Sequence, residues 1–140
     1  MFENPYLTKV TRVYHDSEVI FEEGSFGDEM YIVHSGVVKL IKKASEAQIL
    51  VATIARGEFF GEMALVDNAP RSVAAIAGEN FTRLLTLDRD KFLFLISHQP
   101  AFALTIMHVL SQRIRGMNDR LSEMEQEIKL ALMSRGAKFR

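Results

Sequence analysis

From Thr8 to Leu87 the hydrophobic positions come in short bursts of Val, Ile, Phe and Tyr, separated by Gly, Asp, Glu and Ser. Bursts of this length between turn residues, recurring every ~8–12 residues, predict an all-β sandwich or barrel. The predicted strands are TKVTRVY (8–14), EVIF (18–21), MYIVHS (30–35), VVKLIKK (37–43), QILVATI (48–54), SVAAIA (72–77) and TRLLTLD (82–88). Turns are signalled around Gly24 and Gly27, at Ser35-Gly36, around Gly57 and Gly61, and at AGEN (77–80). The spacing favours a compact two-sheet β jelly roll over an open barrel.

The period changes at Asp88. DRDKFLFLISHQ (88–99) opens on a capping-type Asp and runs into Pro100, so it predicts a short helix that stops before the proline. A second helix starts at Pro100, since proline is well tolerated in a first turn. Its apolar positions, Ala103, Met107, Leu110, Ile114, Met117, Leu121, Met124, Ile128 and Ala131, step alternately by four and three. That is an a/d heptad pattern, expected of a two-stranded coiled coil. A helix packed on its own barrel also shows one apolar stripe, but about 30 residues span about 45 Å, more than a barrel this small can cover. The seam therefore predicts a homodimer through residues 103–131.

Composition narrows the functional classes. A chain of 140 residues suits one domain, with about 8–88 as jelly roll and about 89–134 as C-terminal helices. A hydrophobic share of 48% with 25% charged residues is that of a globular chain. The formal net charge of -1 offers no field for nucleic acid or an anionic membrane. With no cysteine, disulfides, thiol nucleophiles and zinc fingers are excluded, and cytoplasmic localisation is the expectation. MFENPYLTKV lacks the basic and apolar regions of a signal peptide, and no stretch reaches the roughly 18 apolar residues of a span.

Candidate chemistry concentrates between Gly57 and Ala77. Gly61 permits close backbone approach, and Glu62 to Val66 can form one or two helical turns whose first N–H groups point outward towards an anion. Arg71 lies directly before a strand and can swing back over that spot, where its guanidinium fits two oxygens of one phosphate. Ser72 adds a hydroxyl donor, and Glu62 can accept from a sugar hydroxyl while pairing with Arg71. The set describes a pocket for a sugar joined to one phosphate; as isolated residues, Glu62 and Arg71 could equally form an exposed salt bridge of about 0–1 kcal/mol.

As an ordered string, FGEMALVDNAPRSVAAI (60–76) resembles the phosphate-binding cassette of the cyclic nucleotide-binding domain family, and VIFEEGSFGDEMYIVHSGVVKL (19–40) is similar to that family's first hairpins. The likeness covers about residues 10–121. It implies that Gly61 and the backbone at Glu62, Met63 and Ala64 line the phosphate side, with Glu62 on the ribose 2′-hydroxyl. It implies further that Arg71 neutralises the cyclic phosphate of cyclic AMP or cyclic GMP and that Ser72 bonds there too. Val51 and Ile54 fall where relatives contact base or ribose, although barrel core explains them as well. Met117 and Asn118 fall where bacterial regulators reach the purine; an exposed helical Asn is also simply solvated. Val73 stands where a small alanine is common and would tighten the pocket, and only about nine residues precede the first strand, fewer than in relatives. Ser72 does not choose between the two nucleotides.

Other chemistries find little. His15, His34, His98 and His108 make neither H-x-H nor H-E-x-x-H, so no metal is expected, and neither a nucleophile elbow nor a Walker loop is present. The mixed charges of the last helix suit coiled-coil flanks better than a DNA-binding stripe, and about 10 residues after Ile128 leave no room for a helix-turn-helix. The expectation is a non-enzymatic cyclic nucleotide sensor, without a resident cofactor or direct nucleic-acid or membrane contact, that signals through its C-terminal helices to an effector. The alternatives are a jelly-roll interaction module that binds no nucleotide, and a truncated transcription regulator.

Overall fold

The computed structural model describes residues 11–136. Its strands are β1 (Thr11–Tyr14), β2 (Val19–Phe21), β3 (Glu29–Ser35), β4 (Val38–Ala44), β5 (Ala47–Ile54), β6 (Phe59–Phe60), β7 (Ala74–Ala77) and β8 (Thr82–Asp88). They form two antiparallel four-stranded sheets, in the orders β1-β8-β3-β6 and β2-β7-β4-β5, the two-sheet jelly roll that the strand spacing predicts. The core lies between them. Tyr31, Val33, Phe60 and Leu84 from the first sheet meet Val38, Ile54 and Ala75 from the second, and all are buried. Phe21, Tyr31 and Phe60 make a ring cluster with centroids 5.1 to 6.0 Å apart.

The observed elements differ from the sequence expectation where contacts distant in sequence decide. β6 is only two residues long and has no alternation to read; it exists because Phe59 and Phe60 pair with Ile32 and Tyr31. β7 begins at Ala74 rather than Ser72, because the Arg71 backbone is taken by Gly24 and Ser25 instead of a sheet neighbour. The strand expected from Thr8 begins at Thr11, with Thr8 to Val10 outside the described residues. In the β4–β5 hairpin, Leu40 faces Ala52 and Ile41 faces Leu50, leaving Val51 as a bulge. β4 pairs with β7 only from Val38 to Ile41, so Lys42 to Ala44 continue as a two-stranded ribbon with β5 alone.

Two helices follow, α1 (Arg89–His98) and α2 (Pro100–Ser134). Asp88 caps α1 as its sequence suggests: its Oδ1 accepts the Lys91 amide at 2.9 Å, and that bond, ahead of the Lys91 ammonium, holds the carboxyl below its ordinary range. Pro100 takes the first turn of α2, and the helix ends near Gly136, whose N–H donates to the Met133 carbonyl at 3.0 Å. Contacts divide the chain into two compact units, one running to Phe94 and the other starting at Leu95. Within α2 only Phe102 and Ile106 are buried. The seam residues Met107, Ile114, Met117, Leu121, Met124 and Ile128 are 54% to 64% exposed. Of the tail SRGAKFR, residues 137–140 lie outside the described residues.

No single helix among the described residues is long and apolar enough to cross a membrane.

Candidate functional site

Gly61 ends β6 in the left-handed region at φ 76°, which a side chain would strain. The chain then makes a single 3-10 turn, Glu62–Leu65, that buries Ala64 and Leu65 and leaves Met63 exposed. The Leu65 carbonyl at its end accepts Arg89 Nε, from the start of α1, at 3.0 Å. A loop stiffened by Asp67, whose Oδ1 accepts the Ala69 amide, returns the chain to Arg71. There the backbone is fixed from both sides: the Arg71 amide donates to the Ser25 carbonyl at 2.7 Å, and the Gly24 amide donates to the Arg71 carbonyl at 2.8 Å.

The Arg71 side chain reaches back to the turn, as the sequence suggests. Its Nη1 donates to the Gly61 carbonyl at 3.1 Å and its Nη2 to the Glu29 carbonyl at 2.9 Å. The guanidinium carbon stands 4.2 Å from the centre of the Phe21 ring, within range of a cation–π contact. Sequence reasoning did not foresee the burial: Arg71 is 8% exposed, and its Nε has no hydrogen-bond partner. A buried cation held by neutral carbonyls, with one donor unsatisfied, is an unusual investment for a small barrel. Its natural complement is an anionic oxygen.

The remaining candidates fall into three places. Glu62, Met63 and Ala64 form the turn beside Arg71; Ser72 is exposed and Val73 half-buried on the way to β7. Val51, the bulge residue, is 42% exposed, whereas Ile54 is 4% exposed in the core cluster, the alternative that the sequence left open. Met117 and Asn118 lie on exposed turns of α2, in the other unit. A cleft of about 350 Å³ adjoins the turn, lined by Gly27, Asp28, Ala64, Asn68, Asp88, Arg89 and Asp90. Its three aspartates outnumber the one arginine, Arg89, and disfavour an anion there. Among the described residues no group of His, Asp or Glu is placed to hold a metal ion.

Gly27 and Phe21 are partners of the site that the sequence marks only as a turn and a strand residue. A Cβ on Gly27 would lie 2.6 Å from Arg71 Nη2, so alanine there forces the guanidinium or the Gly27 backbone to shift. Gly27→Ala is expected to cost about 1–3 kcal/mol of stability, the usual range for overpacking, measured by urea unfolding; an unchanged midpoint would show that the close approach is unimportant.

Tyr31, stacked on Phe60, donates from its hydroxyl to Glu29 Oε2 at 3.2 Å. Burial, reinforced by the Glu29 carboxylate and opposed by Arg71, pushes its phenol up to about 12. The unfolded chain ionises this group near 10, so its contribution to stability is complete below pH 10 and is lost between there and about 12. An absorbance titration should show one tyrosine ionising near pH 12, a step missing in Tyr31→Phe; the same late step in both proteins would assign it elsewhere.

Comparison with known proteins places these features in context. The family model for the cyclic nucleotide-binding domain matches residues 11–99. The cyclic AMP receptor protein of Thermus thermophilus is 38% identical over 105 residues, which cover 74% of this chain and 48% of that protein. The chain spans about half the length of such curated relatives. The crystal structure of the Thermus thermophilus catabolite activator protein superposes with a TM-score of 0.69 at 32% identity, covering 94% of this chain and 61% of that one. A cyclic nucleotide-binding domain from Methylobacillus flagellatus gives a TM-score of 0.70 at 25% identity, covering 85% and 70%.

Proposed function

The chain belongs to the cyclic nucleotide-binding domain family, and on that premise we propose that it is a cyclic nucleotide sensor, with cyclic AMP its first ligand, acting as a regulatory module in the cytoplasm rather than as an enzyme. The observation that carries the reading is the buried Arg71 guanidinium with its unpartnered Nε, held against the Gly61 carbonyl. The cyclic phosphate bears one negative charge, and pairing it with Arg71 supplies the acceptor that the buried donor lacks. In this reading the turn from Gly61 to Ala64 lines the phosphate, Glu62 accepts from the ribose 2′-hydroxyl, and Ser72 adds a donor. Val73 and Val51 bound the pocket, Ile54 supports it from the core, and Asn118 is the candidate base contact.

The output is proposed to run through α2. Its exposed a/d seam calls for a second copy, and in a parallel, in-register pair Arg120 at a g position faces Glu125 at the partner's e position, an opposite-charge match that favours this orientation. The boundary between the two compact units, at Phe94 and Leu95, supports a hinge between Phe94 and Pro100. A ligand biases such a hinge only by its difference in affinity for the two arrangements. An effector protein would read the change.

Titration calorimetry with cyclic AMP and cyclic GMP tests the proposal. Saturable binding of one molecule per chain is expected, tighter for cyclic AMP. No heat from either nucleotide would favour an interaction module that shares only the fold.

A further inference from the structure

The contacts that hold Arg71 and Ser72 in place extend beyond the turn itself. Lys42, on the β4–β5 ribbon, donates from Nζ to the Ser72 carbonyl at 2.9 Å and pairs with Glu23 Oε1 at 3.0 Å. The other oxygen of Glu23 accepts the Lys43 amide at 3.0 Å, so both carboxylate oxygens are engaged. That amide first, and Lys42 next, hold the Glu23 carboxyl below its ordinary range. Glu23 immediately precedes Gly24, whose amide grips the Arg71 carbonyl. Two segments distant in sequence thus converge on two consecutive residues. The loop after β2 holds Arg71 through its backbone, and Lys42, anchored to that loop, holds the carbonyl of Ser72.

We infer that Lys42, steadied by Glu23, is a positioning residue of the ligand site: it fixes the backbone of Ser72 and so aims the Ser72 hydroxyl and the Arg71 side chain at the phosphate. The inference rests on the cyclic nucleotide reading. Residues 71–73 lie before β7 and have no ladder of their own; main-chain bonds to Gly24 and Ser25 hold Arg71, and Lys42 carries that hold one residue further, to the Ser72 carbonyl. An isolated exposed ion pair contributes little, but one tied into a network that crosses segments is the case in which such pairs matter.

Lys42→Met is expected to weaken cyclic AMP binding by about three- to fivefold, with Lys42→Arg restoring it. In a double-mutant cycle the loss should shrink once Ser72→Ala is present, since the hydroxyl being aimed is then gone; a general structural defect would add in full. In the ligand-free protein, the amides of Gly24 and Arg71 should exchange faster in Lys42→Met than in wild type. Unchanged affinity in a wild type that binds, or unchanged exchange at both amides, overturns the positioning role and leaves the sensor reading intact. A wild type that binds no cyclic nucleotide removes the sensor reading, and the positioning role with it.

Discussion

Arg71→Ala is expected to weaken cyclic AMP binding by about a hundredfold or more, the loss associated with removing one partner of a buried charge pair. Among the described residues the guanidinium is the one buried cation, and its two η nitrogens each donate to a carbonyl, those of Gly61 and Glu29. Each bond uses one hydrogen of its nitrogen, which leaves Nε and a second hydrogen on each η nitrogen as donors. Deletion therefore removes the charge and also leaves two carbonyls wanting donors, which should cost about 1–3 kcal/mol of stability where water cannot replace them. Calorimetry below the variant's unfolding transition separates the two effects. Arg71→Lys keeps the charge without the planar fork and should fall between wild type and alanine. Equal affinities for wild type and Arg71→Ala would remove the phosphate reading of this site.

Leu121→Asp should convert the proposed dimer into a monomer. Leu121 occupies an a position at the middle of the seam and is 64% exposed in the single chain, so its apolar surface is available to a partner. In a parallel pair the substitution brings two carboxylates together inside an apolar interface. Each would cost several kcal/mol to desolvate, in addition to about 2 kcal/mol of lost leucine burial. An association in the micromolar range, worth about 8 kcal/mol, does not survive that sum. Sedimentation velocity reads the outcome directly, and nucleotide affinity should stay within about tenfold of wild type. An unchanged sedimentation coefficient would show that the seam is not the dimer contact.

What the sequence made legible follows from the range of the interactions involved. The heptad of α2, the Asp88 cap and the proline start are local patterns, and each stands where the side-chain spacing put it. The two sheets were equally readable from alternation and turns. The return of Arg71 to Gly61 was legible as well, since ten positions of loop and turn separate them. Its depth was not. Burial arises from Phe21, Gly27 and Glu29, which lie more than forty positions upstream and carry no mark of the contact beyond a glycine in a turn. The same holds for Lys42, which reads as one more charge on a polar strand until the fold sets it against Ser72. For Val51 and Ile54 the sequence could not divide barrel wall from ligand wall; Val51 stays exposed with Ile49 and Leu50 on the outer part of β5, while Ile54 joins the core.

The bond from Arg89 Nε to the Leu65 carbonyl ties the end of the turn to the first residue of α1. A hydrogen bond tolerates only a few tenths of an ångström of stretch before it weakens steeply, and breaking one costs about 1 kcal/mol net. One side chain thus joins the turn that buries Ala64 and Leu65 to the helix that follows the barrel, and replacing Arg89 with alanine would leave the Leu65 carbonyl without that donor.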